Sequence, residues 1–274
     1  AIKTPADVPA EIARLHRYGI RAGFVFTSEQ DPKNTTMMIA ASGQGGLGLP
    51  DRDYYFRDDD KSKKLRDDYV AHVRKMLVLS GRAEAAAETD AQAILKLETA
   101  LAAGSKKRVE LRDPVANYHK MPVAELAKLA PEFDWNRYFT AVGADGVQSL
   151  DVGQPEFFTT FSTQVKETPV DAWKSYLRWN LVHTMAPYLS RDFVEENFAF
   201  YDKTLSGTQA LRERWKRVLG TVDAYTGEAL GQLYVKEFFP PESKARMLQL
   251  VENLRAALRE RIQALTWMDD TTKT

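Results

Sequence analysis

Four histidines, three consecutive aspartates and one acid–base–acid triplet are the side chains here whose types could do chemistry. Zinc takes His and carboxylate ligands, commonly two His one helical turn apart. His16, His72, His119 and His183 lie tens of residues apart, and none belongs to an H-E-x-x-H. Scattered in this way they read as ordinary polar or core residues. No metal ligand and no catalytic residue is therefore assigned within the chain. Asp58-Asp59-Asp60 has the charge for calcium, yet the following Lys61-Ser62-Lys63-Lys64 lacks the glycine and distal glutamate of a calcium loop. Carboxylates just ahead of an amphipathic run read instead as a helix start. Cysteine is absent, which removes disulfides and thiolate chemistry, and no nucleophilic-serine motif is present.

The third constellation is Gly45-Gly46-Leu47-Gly48-Leu49-Pro50-Asp51-Arg52-Asp53-Tyr54-Tyr55-Phe56. Glycine permits positive φ and close backbone approach, and proline fixes φ, so these residues specify a chain path. Arg52 can be buried there only with partners, of which Asp51 and Asp53 are nearest. The residues singled out are Gly46, Gly48, Pro50, Asp51, Arg52, Asp53, Tyr54 and Tyr55. They read first as a buried turn that locks neighbouring elements together, with Arg52 as a multiply bonded tie to the helices.

The elements that must hold this loop are legible from periodicity. Val8, Ile12 and Leu15 predict a helix ended by Gly19. Residues 23–27 and 37–41 predict two strands around the turn Asp31-Pro32-Lys33-Asn34, a β-hairpin from which the loop departs. Leu65, Tyr69, Val73, Met76 and Leu77 predict a helix closed by Gly81, and an alanine-rich helix follows to Gly104. Pro122 opens a short helix, and Trp135, Tyr138 and Phe139 fill another before Gly143. Residues 144–154 read as an internal linker holding a short strand at 147–152. Beyond Pro155 the pattern is helical, with stripes at Phe157, Phe158 and Phe161 and at Trp173, Leu177, Leu181 and Met185. Residues 210–238 predict one long or kinked helix and 242–265 another, separated by Pro240-Pro241. The fold class is mainly α, a multi-helix lobe with a small β-hairpin.

The chain has 274 residues, 44% of them hydrophobic, which is ample for a sizeable core. With 38 basic and 38 acidic side chains it has no global field for nucleic acid, so no nucleic-acid partner is expected. Lys106-Lys107-Arg108 reads as a solvated connection. No stretch approaches the about 18 apolar residues that span a bilayer.

The loop resembles the G-L-G-L-P-x-x-D-Y-Y signature of the neprilysin-like zinc metallopeptidases, peptidase family M13. The resemblance runs nearly end to end. Leu205-Ser206-Gly207-Thr208 with Arg214-Trp215-Lys216-Arg217 is similar to L-x-G and R-W-K-R-C, with Val218 in place of the cysteine, as in a bacterial relative. Ala229-Leu230-Gly231-Gln232-Leu233-Tyr234-Val235 resembles A-L-G-x-L-Y-V. Glu110-Leu111-Arg112-Asp113-Pro114 with Tyr118 resembles E-x-R-D-P…Y-N, His119 replacing the usual Asn. Trp267-Met268-Asp269-Asp270-Thr271-Thr272-Lys273 resembles W-M-D-x-x-T-K.

The resemblance implies a two-lobed peptidase with a large enclosed cavity, of which residues 1–274 are the N-terminal, cleft-covering lobe. It implies zinc in the intact enzyme, held by an H-E-x-x-H and by an E-x-x-x-D that both follow W-M-D-x-x-T-K in the family; this chain contains no H-E-x-x-H. No cofactor is expected in the chain itself, which alone is expected to be inactive. The implied partners are the catalytic domain and peptide substrates, and the implied location is periplasmic or secreted. The glycine loop then has a second reading, as a peptide contact in the cavity. The apolar stripe of the last long helix predicts self-association of the isolated chain. An alternative in another class is a free-standing helical module that binds peptides or inhibits a peptidase.

Overall fold

The computed structural model describes residues 2–273, which form two compact units divided between Ala210 and Leu211. In the first unit, α1 (Val8–Arg17) leads through the left-handed Gly19 and Gly23 into β1 (Phe24–Asp31) and β2 (Asn34–Gln44). The glycine loop follows, then the single turn α2 (Asp53–Phe56), α3 (Asp60–Leu79) and α4 (Glu84–Gly104). After β3 (Lys120–Pro122) come α5 (Val123–Leu129), α6 (Trp135–Val142), β4 (Ser149–Val152), α7 (Pro155–Glu167), α8 (Val170–Met185) and α9 (Arg191–Asn197). A wide π-helical turn, Phe198–Leu205, continues α9.

The expected hairpin is present and longer than periodicity indicated. Its turn is tied locally, because Asp31 Oδ1 accepts the Lys33 amide at 2.9 Å. The same carboxylate accepts Tyr118 Oη at 2.9 Å and Lys120 Nζ at 3.0 Å, fixing the hairpin tip to the β3 segment. The hairpin is also half of a larger object, a mixed four-stranded sheet in the order β1-β2-β4-β3. β4 pairs parallel to β2 and antiparallel to β3, whose Pro122 sits where an edge strand tolerates a missing N–H. Residues 144–154, read from the sequence as a linker, thus contain a paired strand of the first unit. The compact division falls instead at Ala210 and Leu211.

Helix starts follow the charge pattern. Asp59 caps α3 by accepting the Ser62 amide at 3.0 Å, which gives the aspartate run its role as a helix start. Gly143 ends α6 with φ of 82°, a conformation that a side chain would strain.

The core of the first unit is aromatic. Phe24 is fully buried, with the rings of His16, Phe133, Trp135, Tyr138, Phe158 and Phe161 centred 5.0–5.7 Å away. Most of these meet edge to face, the arrangement favoured by the ring quadrupole. The predicted stripes on α7 and α8 supply Phe157, Phe158, Phe161, Trp173 and Leu177 to the same core.

The second unit holds α10 (Arg214–Phe238), α11 (Pro241–Gln263) and α12 (Asp270–Lys273). α10 is kinked at Thr226, where φ is −133° and the threonine hydroxyl bonds back to the Val222 carbonyl at 2.8 Å. Gly227 follows directly, so the break has a local cause. No residue of α10 or α11 is buried.

Because Phe24 anchors the aromatic cluster, Phe24→Ala is expected to destabilise the first unit by about 3–5 kcal/mol. Thr27→Ala, on the exposed part of the same strand, is expected to stay within about 0.5 kcal/mol. Denaturant unfolding followed by tryptophan fluorescence measures both.

Candidate functional site: the glycine loop and its buried carboxylate

The loop between β2 and α2 is packed against four helices. Gly46 takes φ of 74°, and its carbonyl accepts Tyr176 Oη from α8 at 2.7 Å. That same hydroxyl accepts the Gly23 amide at 3.0 Å, so one α8 tyrosine ties the loop to the strand entry. A Cβ at Gly46 would meet the Tyr176 hydroxyl and the Gly23 carbonyl. A Cβ at Gly48 would land on the Tyr69 hydroxyl. Both glycines are therefore required by close approach, and Gly46 by its backbone conformation as well.

The partner on the far side of Gly48 is Glu98, a carboxylate on α4 that is 1% exposed. Tyr55 Oη donates to Glu98 Oε2 at 2.8 Å, and Tyr69 Oη lies 2.9–3.0 Å from both carboxylate oxygens. Each hydroxyl accepts in turn. The Leu49 amide donates to Tyr55 Oη at 3.0 Å, and Trp179 Nε1 donates to Tyr69 Oη at 3.0 Å. The Gly48 amide also serves the carboxylate, while the Gly48 carbonyl accepts Tyr201 Oη at 3.0 Å. Donors from the loop, α2, α3 and α8 thus converge on one acidic side chain of α4. Such a network is stable only when every member is satisfied.

Burial pushes the Glu98 carboxyl up to about 7, against the opposing pull of the donors around it. Tyr55 and Tyr69 are raised well above the ordinary tyrosine value, first by burial and then by the Glu98 charge. Both hydroxyls therefore stay protonated and available as donors. The arrangement is a lock on backbone position, with no nucleophile or open acid–base pair in it.

The other residues singled out from the sequence are less enclosed. Pro50 is exposed, and Asp51 Oδ1 accepts the Asp53 amide at 2.9 Å at the start of α2, while the carboxylate near Arg52 is that of Asp53. Arg52 Nε donates at 3.2 Å to the Ala102 carbonyl in the last turn of α4, which also accepts the Ser105 amide at 3.2 Å. Its guanidinium lies 3.8 Å from Asp53 and 5.2 Å from the Phe56 ring centre, and its side chain is 23% exposed. Arg52 thus has one close bond to a helix instead of several. Tyr54 contributes its carbonyl to Arg66 at 2.9 Å. Of the eight, Gly48 and Tyr55 are drawn into the carboxylate network, while Gly46 is tied separately to Tyr176.

Sequence reasoning missed Glu98, Tyr69, Tyr176, Trp179 and Tyr201. One signal was present: Ile94, Leu97, Glu98 and Leu101 share an apolar helical face, where a lone acid must find donors.

The histidines do not compose a metal centre. His16 Nδ1 is 2.6 Å from Tyr138 Oη and its Nε2 is 3.0 Å from the Ala22 carbonyl. His72 Nδ1 is 2.9 Å from Glu196. Burial holds His16 and His183 down to about 4, as neutral core imidazoles. Among the described residues no three His, Cys, Asp or Glu side chains gather in a group that could hold a metal ion.

Comparison with known proteins places the geometry in context. The family description Peptidase family M13, in its N-terminal section, matches residues 1–274. Human endothelin-converting enzyme 1 is 30% identical over 249 residues, covering 89% of this chain and 32% of that protein. Neprilysin-3 of Drosophila melanogaster is 29% identical over 272 residues, covering 94% and 34%. The crystal structure of Mycobacterium tuberculosis zinc metalloprotease Zmp1 with an inhibitor superposes with a TM-score of 0.90 at 34% identity, covering 100% of this chain and 41% of that one. The chain thus spans about a third of the curated relatives it matches.

Two outcomes are expected of this site. Gly48→Ala should cost about 1–3 kcal/mol or more, since Tyr69 cannot yield without releasing Glu98. Thermal unfolding reads it. The second concerns pH. The folded state holds the Glu98 proton up to about 7, whereas an unfolded chain releases it near the ordinary value of 4.5. The stability that this proton contributes is full below pH 4.5 and is lost as pH rises to about 7, at up to about 1.4 kcal/mol per unit. The depressed histidines drive the whole chain oppositely between about 4 and 6.5. The test is therefore the difference between the parent and Glu98→Gln in urea: that difference should shift against the parent from pH 5 to pH 8, and a flat difference contradicts the assignment.

Proposed function

The chain belongs to peptidase family M13, the neprilysin-like zinc metallopeptidases, as an N-terminal region, and we propose that it walls the substrate cavity of such an enzyme. In this reading it buries peptides and short polypeptides during hydrolysis and keeps larger proteins out. The hydrolytic chemistry, zinc included, belongs to residues other than those of this chain. The catalytic domain and peptide substrates are its partners, and a periplasmic or secreted location follows from the family. Among the described residues no helix is long and apolar enough to cross a membrane.

The observation that supports this reading best is the carboxylate lock. Exclusion by size demands a wall that does not open to admit a larger chain, and wall elements joined only by surface contacts would yield. Here the loop, α2, α3, α4 and α8 are bound to one another through Glu98 and its tyrosines. The glycine loop is in this account part of the frame, with Arg52 tying it to α4. On α11, Met247, Leu250, Val251, Leu254 and Leu258 are all exposed, which favours association of the isolated chain with itself.

The test is a peptidase assay on the polypeptide in which this chain is followed by an H-E-x-x-H segment. Expected are chelator-sensitive cleavage of short peptides and negligible cleavage of a folded protein of ordinary domain size. Equal cleavage of both would remove the size-selecting role. Tight peptide binding by the 274-residue chain, with no hydrolysis by any longer form, would instead assign a free-standing binding module.

A further inference from the structure

β1 stands at one end of the sheet, so one of its edges has no strand beside it. Which of its backbone groups face that edge follows from β2. The Ser42 carbonyl accepts the Gly153 amide at 2.9 Å, and the Gln44 amide donates to Gln154 Oε1 at 2.8 Å, both on the β4 side. Successive residues of a strand direct their backbone groups to opposite edges. Ile39, Ala41 and Gly43 therefore face β1, where they stand opposite Glu29, Thr27 and Val25. The Val25 carbonyl also accepts Ser42 Oγ at 3.1 Å, which fits this orientation. Phe26, Ser28 and Gln30 consequently turn their N–H and C=O groups outward. Thr27 Oγ1 approaches the Ser28 carbonyl at 3.4 Å.

The strand behind this edge is anchored at both ends. Phe24 and Phe26 pack on the rings of α6, at 5.1 Å and 5.6 Å from Tyr138, and Asp31 pins the hairpin tip. Residues 27–30 are exposed. Phe24–Asp31 contains neither lysine nor proline, and its pairing with β2 is regular from Phe24 to Gln30, shifting register only between Gln30 and Asp31. Glu29 forms no ion pair among the described residues, so the edge presents an uncompensated carboxylate beside the open backbone groups.

We propose that the outer edge of β1 takes an extended peptide carrying a basic side chain, which adds as a fifth strand along residues 26–30. Backbone pairing would supply affinity with little regard to sequence, and Glu29 would select for lysine or arginine. The proposal rests on the reading that the intact protein handles peptides, and it deepens that reading by naming a place and a charge preference.

The test uses the 274-residue chain and a fluorescein-labelled heptapeptide in which lysine alternates with valine. Amide hydrogen exchange should show Phe26 and Ser28 exchanging quickly in the free chain and at least about tenfold more slowly at saturating peptide. Thr27 and Glu29, bonded to β2, should be slow in both states. Ser28→Pro deletes an outward N–H and spares the β2 ladder, so it should abolish peptide binding, whereas Ser28→Ala should bind like the parent. Glu29→Lys should weaken binding, and replacing the peptide's lysines by glutamate should do the same. Unchanged exchange at Phe26 and Ser28, or equal binding by Ser28→Pro, overturns the proposal. Protection of those amides that grows with protein concentration and needs no peptide assigns the edge to a second copy and equally overturns it. Binding here and hydrolysis by the longer protein are separate readouts, so either can fail alone.

Discussion

A carboxylate taken out of water must be met by donors or by a proton, and Glu98 is met by both. Its burial is costly enough to raise its pKa to about 7, and that cost is offset only while Tyr55, Tyr69 and the Gly48 amide stay in place. The demand runs outward. Tyr69 is fixed by Trp179, Tyr55 by the Leu49 amide, and the loop's two carbonyls by Tyr176 and Tyr201. The path that Gly46 and Gly48 give the backbone lets the loop, α2, α3 and α8 meet around the one acid of α4 without a side chain between them. A glycine-rich loop that the sequence alone could present as a ligand contact is, in the structure, the inner layer of a frame.

The sheet and the aromatic core serve the same end from the other side. Phe24 fills the centre of the cluster, and the residue before it, Gly23, gives its amide to Tyr176. Core and loop are thus joined through one hydroxyl. The hairpin leaves that junction and is pinned again at Asp31, so β1 is held at both ends of its open edge. Rigidity near Glu98 and openness along β1 are compatible because different backbone groups carry them.

Much of this fold was legible in the sequence, and the reasons are local. α1, α3, α6 and α7 carried apolar residues at helical spacing, with acids or proline at their starts and glycine closing several of them. The hairpin carried its own turn chemistry at Asp31-Pro32-Lys33-Asn34. Residues 144–154 carried the signal of a short strand at 147–152, present as β4 (Ser149–Val152), but its parallel pairing with β2 is tertiary and has no local signal. β3 was invisible for the same reason: three residues ending in proline have no strand signal until β4 lies beside them. For the site, the glycines and Tyr55 were legible as residues that fix a path. Their partners were not, since Tyr69, Glu98, Tyr176, Trp179 and Tyr201 come from separate elements whose convergence is tertiary. Asp51 was assigned to Arg52 by proximity in sequence, whereas its carboxylate accepts the Asp53 amide at the start of α2.

The claim on which this account stands is that the glycine loop is held by Glu98 as firmly as the core is held. Amide hydrogen exchange at Gly48 and Leu49 measures that directly, because a loop that can open by itself exchanges at a free energy below that of global unfolding. The account predicts that both amides exchange only with global unfolding, at the same free energy as the amides of α4 around Glu98. Exchange of Gly48 and Leu49 several kcal/mol below that level, with α4 still protected, would contradict it.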